Sequence, residues 1–304
     1  MRAIIVNWSA ETDGFAVEHL PDPEPAAGQV RIRMVGAAVN PADLHVLGGW
    51  GRDTTDGAPE RRLGVGLDVA GVVDMTGPDV HDLPVGTPVA ALTFPHAPHS
   101  AAGTAAEYVI VPAADVAPVP DGVDLLDAAT VPLNTLTADQ LLARLGPSRG
   151  RRLLVTGAAG GVGGYAVALA ALAGWSVTAL ARLSDAEFLT RAGAAETIGG
   201  LEGVTGFDAV LDGALLNDAA LRCVRDHGMY AGVFPGLEPQ PERGITITSG
   251  VVVPDGRRLR DMLALTAEGK LEARRAGTVS LENAAQAYQA LRGGGQRGRW
   301  VLTP

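Results

Sequence analysis

A glycine-rich stretch at residues 155–164, with the sequence VTGAAGGVGG, is the part of this chain whose residue types and spacing most directly suggest chemistry. An apolar run precedes it and an alanine-rich run follows, which is the strand, turn and helix order of a dinucleotide-binding turn. Glycine leaves no Cβ in the path of a pyrophosphate, and the helix N-terminus offers unpaired N–H groups. The residues predicted to hold the pyrophosphate are Gly157, Ala158, Gly160, Gly161, Val162 and Gly163. A turn that serves only packing remains the alternative, because the spacing departs from G-x-G-x-x-G.

The residue after the next predicted strand bears on which dinucleotide would bind. A site for NAD places an acidic residue about 20 residues past the glycine turn. Here the strand at residues 176–181 ends without a carboxylate and Arg182 follows. A guanidinium suits the 2′-phosphate of NADP(H), and a charge-assisted hydrogen bond contributes about 1.5–3 kcal/mol. The sequence therefore predicts NADP(H) rather than NAD(H), with a solvated cation at Arg182 as the alternative. Ser184 and Glu187 fit a capping box that opens the next helix.

The elements that position these residues indicate an α/β chain with two regions. The chain has 304 residues, twice the roughly 150 of a common domain. As far as residue 120, short β-branched runs alternate with turn residues, which is typical of an irregular β domain. Beyond it, helical and strand patterns alternate, which predicts βαβ units and a parallel sheet. The strands predicted for that sheet are residues 152–156, 176–181, 196–198, 209–212, 229–233 and 245–253.

Composition excludes several classes of protein. Hydrophobic residues make up 47%, which excludes a wholly disordered chain. Twenty-four basic and 34 acidic residues leave a net charge of −10, which disfavours nucleic-acid binding. The single cysteine, Cys223, excludes an internal disulfide and fits the cytoplasm. Glycines interrupt the uncharged stretch at residues 153–181, so we expect no membrane span there. The apolar start at residues 1–6 is too short for a signal peptide and predicts a first strand.

Several short motifs, in a fixed order, resemble the zinc-independent medium-chain dehydrogenases/reductases (MDR), the quinone oxidoreductase group. The matching segments are AAVNPAD at 37–43, GLDVAGVV at 66–73, PLNTLTA at 132–138, GAAGGVG at 157–163, LENAA at 281–285 and GRWVL at 298–302. The resemblance implies a GroES-like β domain at residues 1–122, completed by 270–304. It also implies a Rossmann domain, a doubly wound parallel sheet, at 123–269, with a cofactor cleft at the junction. Members are commonly homodimers, joined here along residues 245–253.

The positions that hold zinc in other members carry different residues here. Zinc-containing relatives have a cysteine at the position of Asn40 and His-Glu at the positions of Leu67 and Asp68. Asparagine, leucine and a lone aspartate cannot make a three-ligand zinc site. His96 and His99 have a spacing that could suit a metal, but no carboxylate or cysteine is near them in the sequence. We therefore predict no metal.

Without a metal, the resemblance implies an oxidoreductase that transfers hydride from NADPH to a quinone or to the β-carbon of an enone. Asn40 is the predicted polar group beside the nicotinamide, and Asp43 is predicted to structure that loop. The alternatives are that Asn40 caps a turn before Pro41, that Asp43 N-caps the short helix, and that Thr137 only starts a helix. The resemblance adds Thr137, Gly213, Val233 and Phe234 to the predicted cofactor-binding residues.

Two other functions remain open at this point. An enoyl-thioester reductase would need a basic rim, which Arg52, Arg61 and Arg62 could supply. An NADPH-binding protein with a non-redox biosynthetic role is the second, because no tyrosine or histidine is an obvious general acid and a fold does not determine a function.

Overall fold

The computed structural model describes residues 1–9, 12–49, 62–95 and 102–304. Within these residues the chain divides into two compact units. The first unit comprises Met1–Leu133, Pro254–Ala267 and Ala273–Pro304, and the second comprises Asn134–Val253 and Glu268–Glu272. Both ends of the chain therefore belong to the first unit.

The described residues contain strands and helices along the whole chain. The strands are β1 Arg2–Ser9, β2 Thr12–His19, β3 Gln29–Ala38, β4 Arg62–Gly64, β5 Asp68–Thr76, β6 Pro88–Leu92, β7 Tyr108–Pro112, β8 Val116–Pro118, β9 Arg152–Thr156, β10 Ser176–Leu180, β11 Glu196–Ile198, β12 Phe207–Asp212, β13 Val224–Gly232, β14 Thr246–Ser249, β15 Arg275–Ser280 and β16 Arg299–Thr303. The helices are α1 Pro41–Leu47, α2 Leu125–Ala128, α3 Pro132–Arg144, α4 Gly161–Leu172, α5 Ala186–Arg191, α6 Asp218–Leu221, α7 Gly256–Ala267 and α8 Ala284–Gly293.

The first unit is built mainly from antiparallel strands. One sheet has the order β2-β1-β4, and a larger one has the order β15-β16-β3-β5-β6-β8, with β7 also paired to β3. Alternation along β3 defines the core face: Val30, Ile32 and Met34 are buried, whereas Arg31 and Arg33 between them are not. The C-terminal strand β16 pairs with β3, which draws the end of the chain into this sheet.

The second unit is a six-stranded parallel sheet in the described residues, with the order β11-β10-β9-β12-β13-β14. Numbered by appearance within the unit, this is the 3-2-1-4-5-6 order of a Rossmann domain. The strand β9 is buried along Leu153, Leu154 and Val155, as a central parallel strand must be. The order reverses between β9 and β12, so the switch point where ligands bind in such sheets lies at the carboxyl ends of these two strands.

The last strand of this sheet is shorter than the sequence predicts. The prediction of a strand over residues 245–253 is wrong beyond Ser249, where β14 ends. The side chain of Gln140 on α3 bonds to both backbone groups of Val253, with Nε2 donating to the carbonyl at 2.7 Å and Oε1 accepting from the amide at 3.0 Å. These backbone groups are satisfied by a helix side chain and do not continue the ladder.

The compact units also divide the chain at positions that differ from the predicted domain boundaries of 122 and 270. The helix α7 packs against β8 and buries Leu259 and Leu263, so it belongs to the first unit. The short helix α2 packs against β3 and belongs there as well. In both cases tertiary packing, which the chain order does not reveal, decides the assignment.

None of the helices in the described ranges combines the length and the apolar content that a bilayer crossing requires.

Candidate functional site

The glycine turn of the second unit connects β9 to α4. Gly157 lies in the left-handed region with φ of +60°, and Gly160 is the N-cap of α4. A Cβ built on Gly163 would lie 2.2 Å from the carbonyl oxygen of Gly157. The first turn of the helix therefore packs directly on the backbone of the turn before it. Gly161 and Val162 lie in the first turn of α4, where backbone N–H groups have no intrahelical acceptor, and such groups can bind an anion.

The other strands of the sheet bring further predicted residues to the same edge. Because the strands are parallel, the carboxyl ends of β9, β12 and β13 place Gly157, Gly213 and Val233 along one edge, with Phe234 next in the chain. The carbonyl carbon of Gly213 lies 3.1 Å from a Cβ built on Gly157. Thr137 is buried in the second turn of α3 and not at the start of that helix.

Arg182 lies just beyond β10, the strand that pairs with β9. The carbonyl of Leu180 at the end of β10 accepts from the amide of Ala158 in the glycine turn at 3.2 Å. Arg182 is exposed and is the N-cap of a short 3₁₀ helix, Leu183–Asp185. The predicted Ser184 cap is wrong, because the N-cap of α5 is Asp185 and its side chain makes no capping hydrogen bond.

In the first unit, a cluster of buried polar side chains surrounds the start of α1. Asn40, Asp43 and Asp68 are each fully buried. Asn40 is the N-cap of α1 and forms a capping box with Asp43 at N3, its own amide donating to Asp43 Oδ2 at 2.7 Å. The alternative that Asp43 N-caps this helix is therefore wrong. The alternative that Asn40 caps a turn before Pro41 agrees with the structure, because Asn40 is the N-cap of the helix that begins at Pro41.

The side chain of Asn40 is held from both sides. Its Nδ2 donates to Asp68 Oδ2 at 2.7 Å, and its Oδ1 accepts from Arg299 Nε at 2.9 Å. The second oxygen of Asp68 accepts from the amide of Leu133 at 2.6 Å. We call Asn40, Asp43, Asp68 and Arg299 the buried cluster. It joins the segments around α1, β5, the start of α3 and β16, all within the first unit.

Comparison with known proteins assigns the family. Residues 26–121 match the alcohol dehydrogenase GroES-like domain, and residues 187–302 match the zinc-binding dehydrogenase family. The chain is 30% identical to 2-methylene-furan-3-one reductase of Solanum lycopersicum, over 93% of this chain and 73% of that protein. This chain belongs to the MDR family.

Other MDR proteins extend the comparison. The chloroplastic NADPH-dependent alkenal/one oxidoreductase of Arabidopsis thaliana is 31% identical over 76% of this chain. That match covers 61% of the Arabidopsis protein, less than two thirds of its length. The structure of the quinone oxidoreductase from Coxiella burnetii superposes with a TM-score of 0.87 at 25% identity, covering 100% of this chain and 99% of that one. These matches confirm the predicted resemblance and the predicted fold class, a GroES-like β domain with a Rossmann domain.

Several residues that matter in this MDR chain were not found by sequence reasoning. Asp68 and Arg299 lie inside quoted motifs, but neither was predicted as a partner of Asn40. Asp212 and Tyr230 were overlooked, although an acidic residue that ends an apolar strand, as in FDAVLD, is a usable signal. His96, His99, Arg52 and Arg61 lie outside the described residues, and the side chain of Arg62 is not described. Elsewhere in the described ranges, no group of three or more His, Cys, Asp or Glu side chains is placed to bind a metal.

Burial changes the acidity of the two carboxyls in the buried cluster. Desolvation raises the pKa of Asp43 to about 7, although the backbone hydrogen bond from Asn40 and the charge of Arg299 act against it. Desolvation likewise raises the pKa of Asp68 to about 7, and the neighbouring charge of Asp43 adds to the rise. Two carboxyls therefore share one guanidinium in a buried region, and protonation of one of them near neutral pH relieves the unbalanced charge.

We expect the free energy of unfolding to fall as the pH rises from about 5.5 to about 8. Both carboxyls bind protons more tightly in the folded chain than in the unfolded one. Their stabilising contribution is therefore complete below the unfolded pKa of 3.8 and is lost as the pH rises towards about 7. Urea denaturation at several pH values measures this decrease. We expect the free energy of unfolding to fall by roughly 2 kcal/mol over the range for each of the two carboxyls.

The Asp68→Asn variant is the control for this pH dependence. Its amide cannot lose a proton, so the slope over the same range should be smaller, even though the variant is less stable throughout. Carboxyls with a lowered pKa, such as Glu107 and Asp208, change stability in the opposite direction and only at lower pH. An unchanged slope in Asp68→Asn would contradict the assignment.

Proposed function

We propose that this MDR protein is an NADPH-dependent oxidoreductase that transfers hydride, without a metal, to a quinone or to the β-carbon of an α,β-unsaturated carbonyl. The observation that carries the proposal is a glycine turn at the switch point of a Rossmann sheet, with an arginine just past the neighbouring strand. The matched proteins from Solanum and Arabidopsis are named 2-methylene-furan-3-one reductase and NADPH-dependent alkenal/one oxidoreductase, and a 2-methylene-furan-3-one is an α,β-unsaturated ketone. Their names support the class of acceptor.

The residues of the second unit suit a dinucleotide. The position of a Cβ on Gly163 is filled by the backbone of Gly157, so helix and turn form a cradle of bare main chain. We propose that Gly157, Ala158, Gly160, Gly161, Val162 and Gly163 hold the pyrophosphate, and that Thr137, Gly213, Val233 and Phe234 line the rest of the cofactor. When bound, NADPH supplies a hydride from C4 of its nicotinamide. The role of the chain is to position that carbon and exclude water.

The absence of a metal is proposed from the donor set of the buried cluster. Leu67 has no ligating atom, and both oxygens of Asp68 accept hydrogen bonds, one from Asn40 and one from the amide of Leu133. Arg299 donates to Asn40 at 2.9 Å, so the cluster already contains a cation, which disfavours a metal ion among the same side chains. We therefore propose that Asn40 and Asp43 act by positioning the loop before α1, since the Asn40 amide is used within the cluster.

The proposed activity is tested by following NADPH oxidation, by the near-ultraviolet absorbance of the reduced nicotinamide, with a quinone, an enone and an enoyl-coenzyme A. Turnover with the quinone or the enone supports the proposal. Turnover with the thioester alone favours an enoyl-thioester reductase, and NADPH binding without oxidation of any of them favours a non-redox role.

Replacing Arg182 with alanine should weaken NADPH binding by roughly 10- to 100-fold and leave NADH binding nearly unchanged, because the guanidinium is proposed to pair with the 2′-phosphate. Fluorescence titration with both reduced nucleotides measures the effect. Arg191→Ala is the control, since Arg191 is also exposed, lies on the following helix α5 and is not proposed to contact the nucleotide. Equal losses for both nucleotides in Arg182→Ala would count against a phosphate contact.

We also propose that the protein is a cytoplasmic homodimer joined along residues 245–253. The strand β14 is the last in its sheet, and Val251 and Val253 beyond it expose 55% and 62% of their surface. Light scattering tests the dimer: a molar mass equal to the 31.1 kDa of one chain would exclude it. Cell fractionation tests the location.

A further inference from the structure

Asp212 is a fully buried carboxylate at the end of β12. Its Oδ1 accepts from the Thr156 hydroxyl at 2.5 Å and from the amide of Ala214 at 3.3 Å, and that amide also donates to the Thr156 hydroxyl oxygen at 3.2 Å. Its Oδ2 accepts from the amide of Asn217 and from the Tyr230 hydroxyl, both at 2.8 Å. Burial and this hydrogen bond raise the pKa of Tyr230, so the phenol keeps its proton and donates it. Four neutral donors therefore hold this carboxylate.

Two of these donors belong to the loop that follows β12. Residues 213–217 connect β12 to α6, and the amides of Ala214 and Asn217 both point to Asp212. Leu215 and Asn217 have φ of +55° and +50°, a left-handed conformation that non-glycine residues seldom adopt. Such a backbone persists only where its surroundings impose it. The carboxylate of Asp212 supplies that constraint.

This loop lies against the glycine turn. The carbonyl carbon of Gly213 and the Cβ of Ala214 lie 3.1 and 3.2 Å from a Cβ built on Gly157. Thr156, which donates to Asp212, is the last residue of β9 before that turn and lies opposite Asp212 in the strand pairing. A single carboxylate thus ties together the two strand ends at the switch point.

We propose that Asp212 is a positioning residue for the dinucleotide: with Thr156 and Tyr230 it holds the 213–217 loop as the second wall of the pyrophosphate site. This inference rests on the proposed cofactor function. An acceptor-only group is required because four donors converge on it. In Asp212→Asn one oxygen becomes an NH₂ group. Where it faces the amide of Asn217, that amide loses its acceptor, and where it replaces Oδ1, the amide of Ala214 keeps only the Thr156 hydroxyl, so fewer hydrogen bonds hold the loop.

The test compares nucleotide affinity in variants that remain folded. Asp212→Asn should raise the dissociation constants of NADPH and NADH by a similar factor, roughly 10- to 100-fold, because the affected wall faces the pyrophosphate that both share. This common loss differs from the NADPH-selective loss expected for Arg182→Ala. Tyr230→Phe removes one donor and keeps the ring, so both dissociation constants should rise by roughly fivefold. If Asp212→Asn fails to fold, the affinities of Tyr230→Phe still test the proposal.

Asp208→Asn is the matched control. Asp208 lies on the same strand at the opposite end and accepts from the amide of Arg152 and from Arg225, each at 2.8 Å. The Asp208→Asn variant should have a lower unfolding temperature than the wild type and unchanged dissociation constants for NADPH and NADH. Wild-type affinity in both Asp212→Asn and Tyr230→Phe would overturn this inference alone. A wild-type chain that binds neither nucleotide would overturn the proposed function together with it.

Discussion

Replacing Gly163 with alanine is expected to weaken NADPH binding by at least about 100-fold. A Cβ at this position would lie 2.2 Å from the carbonyl oxygen and 2.7 Å from the carbonyl carbon of Gly157, and 2.8 Å from the Cα of Ala158. All three atoms belong to the backbone, so no side-chain rotation relieves the overlap, and either the turn or the first turn of α4 must move. That movement separates the bare amides proposed to bind the pyrophosphate.

Gly164→Ala is the matched control for this substitution. The nearest atom to a Cβ there is Cζ of Phe188 at 3.2 Å, the end of a side chain that can shift slightly. Both variants add a methyl group in the first turn of α4, and alanine favours a helix over glycine by about 1 kcal/mol. A loss confined to Gly163→Ala therefore reports the close contact with the turn. Fluorescence titration on variants shown to be folded by circular dichroism measures it, and retained affinity in Gly163→Ala would contradict the pyrophosphate site.

Replacing Asp68 with alanine is expected to lower the free energy of unfolding by roughly 2–5 kcal/mol. The carboxylate accepts from the amide of Leu133 at 2.6 Å and from Asn40 Nδ2 at 2.7 Å, and Asp68 and Asn40 are both fully buried. Alanine leaves both donors without this acceptor and removes one of the two carboxyls that balance Arg299. Each buried donor that loses its acceptor costs about 1–3 kcal/mol.

Asp74→Ala on the same strand, β5, provides the comparison. Asp74 pairs with Arg31 at 2.9 Å, but its side chain keeps 21% of its surface exposed. Its removal should cost about 1–2 kcal/mol, because Arg31, although its side chain is only 12% exposed, keeps its hydrogen bond to the carbonyl of Pro23 and its contact with the Tyr108 ring. Urea denaturation of the two variants gives the difference directly. Equal losses would contradict the larger contribution assigned to Asp68 in the buried cluster.

The central strands of the second unit, β9, β10 and β12, could be predicted from the sequence because they are buried on both faces. Such strands are continuous apolar runs, a pattern visible within five or six residues. Residues 152–156 coincide with β9 as predicted. Predictions failed where an element ends on a distant contact. The backbone of Val253 is held by Gln140, 113 residues earlier, and nothing in the local pattern at 250–253 records that contact.

The amino-acid sequence by itself determined the glycine turn, the arginine after the second strand and the family, since these depend on residue types at short spacing. Only the tertiary structure decided which side chains meet. Asn40 contacts Asp68 and Arg299, which lie 28 and 259 positions away. Thr156 likewise meets Asp212, 56 positions later. The physical reason is that strand pairing and register bring such groups together, and register is set by the packing of whole sheets rather than by the neighbours of any one residue.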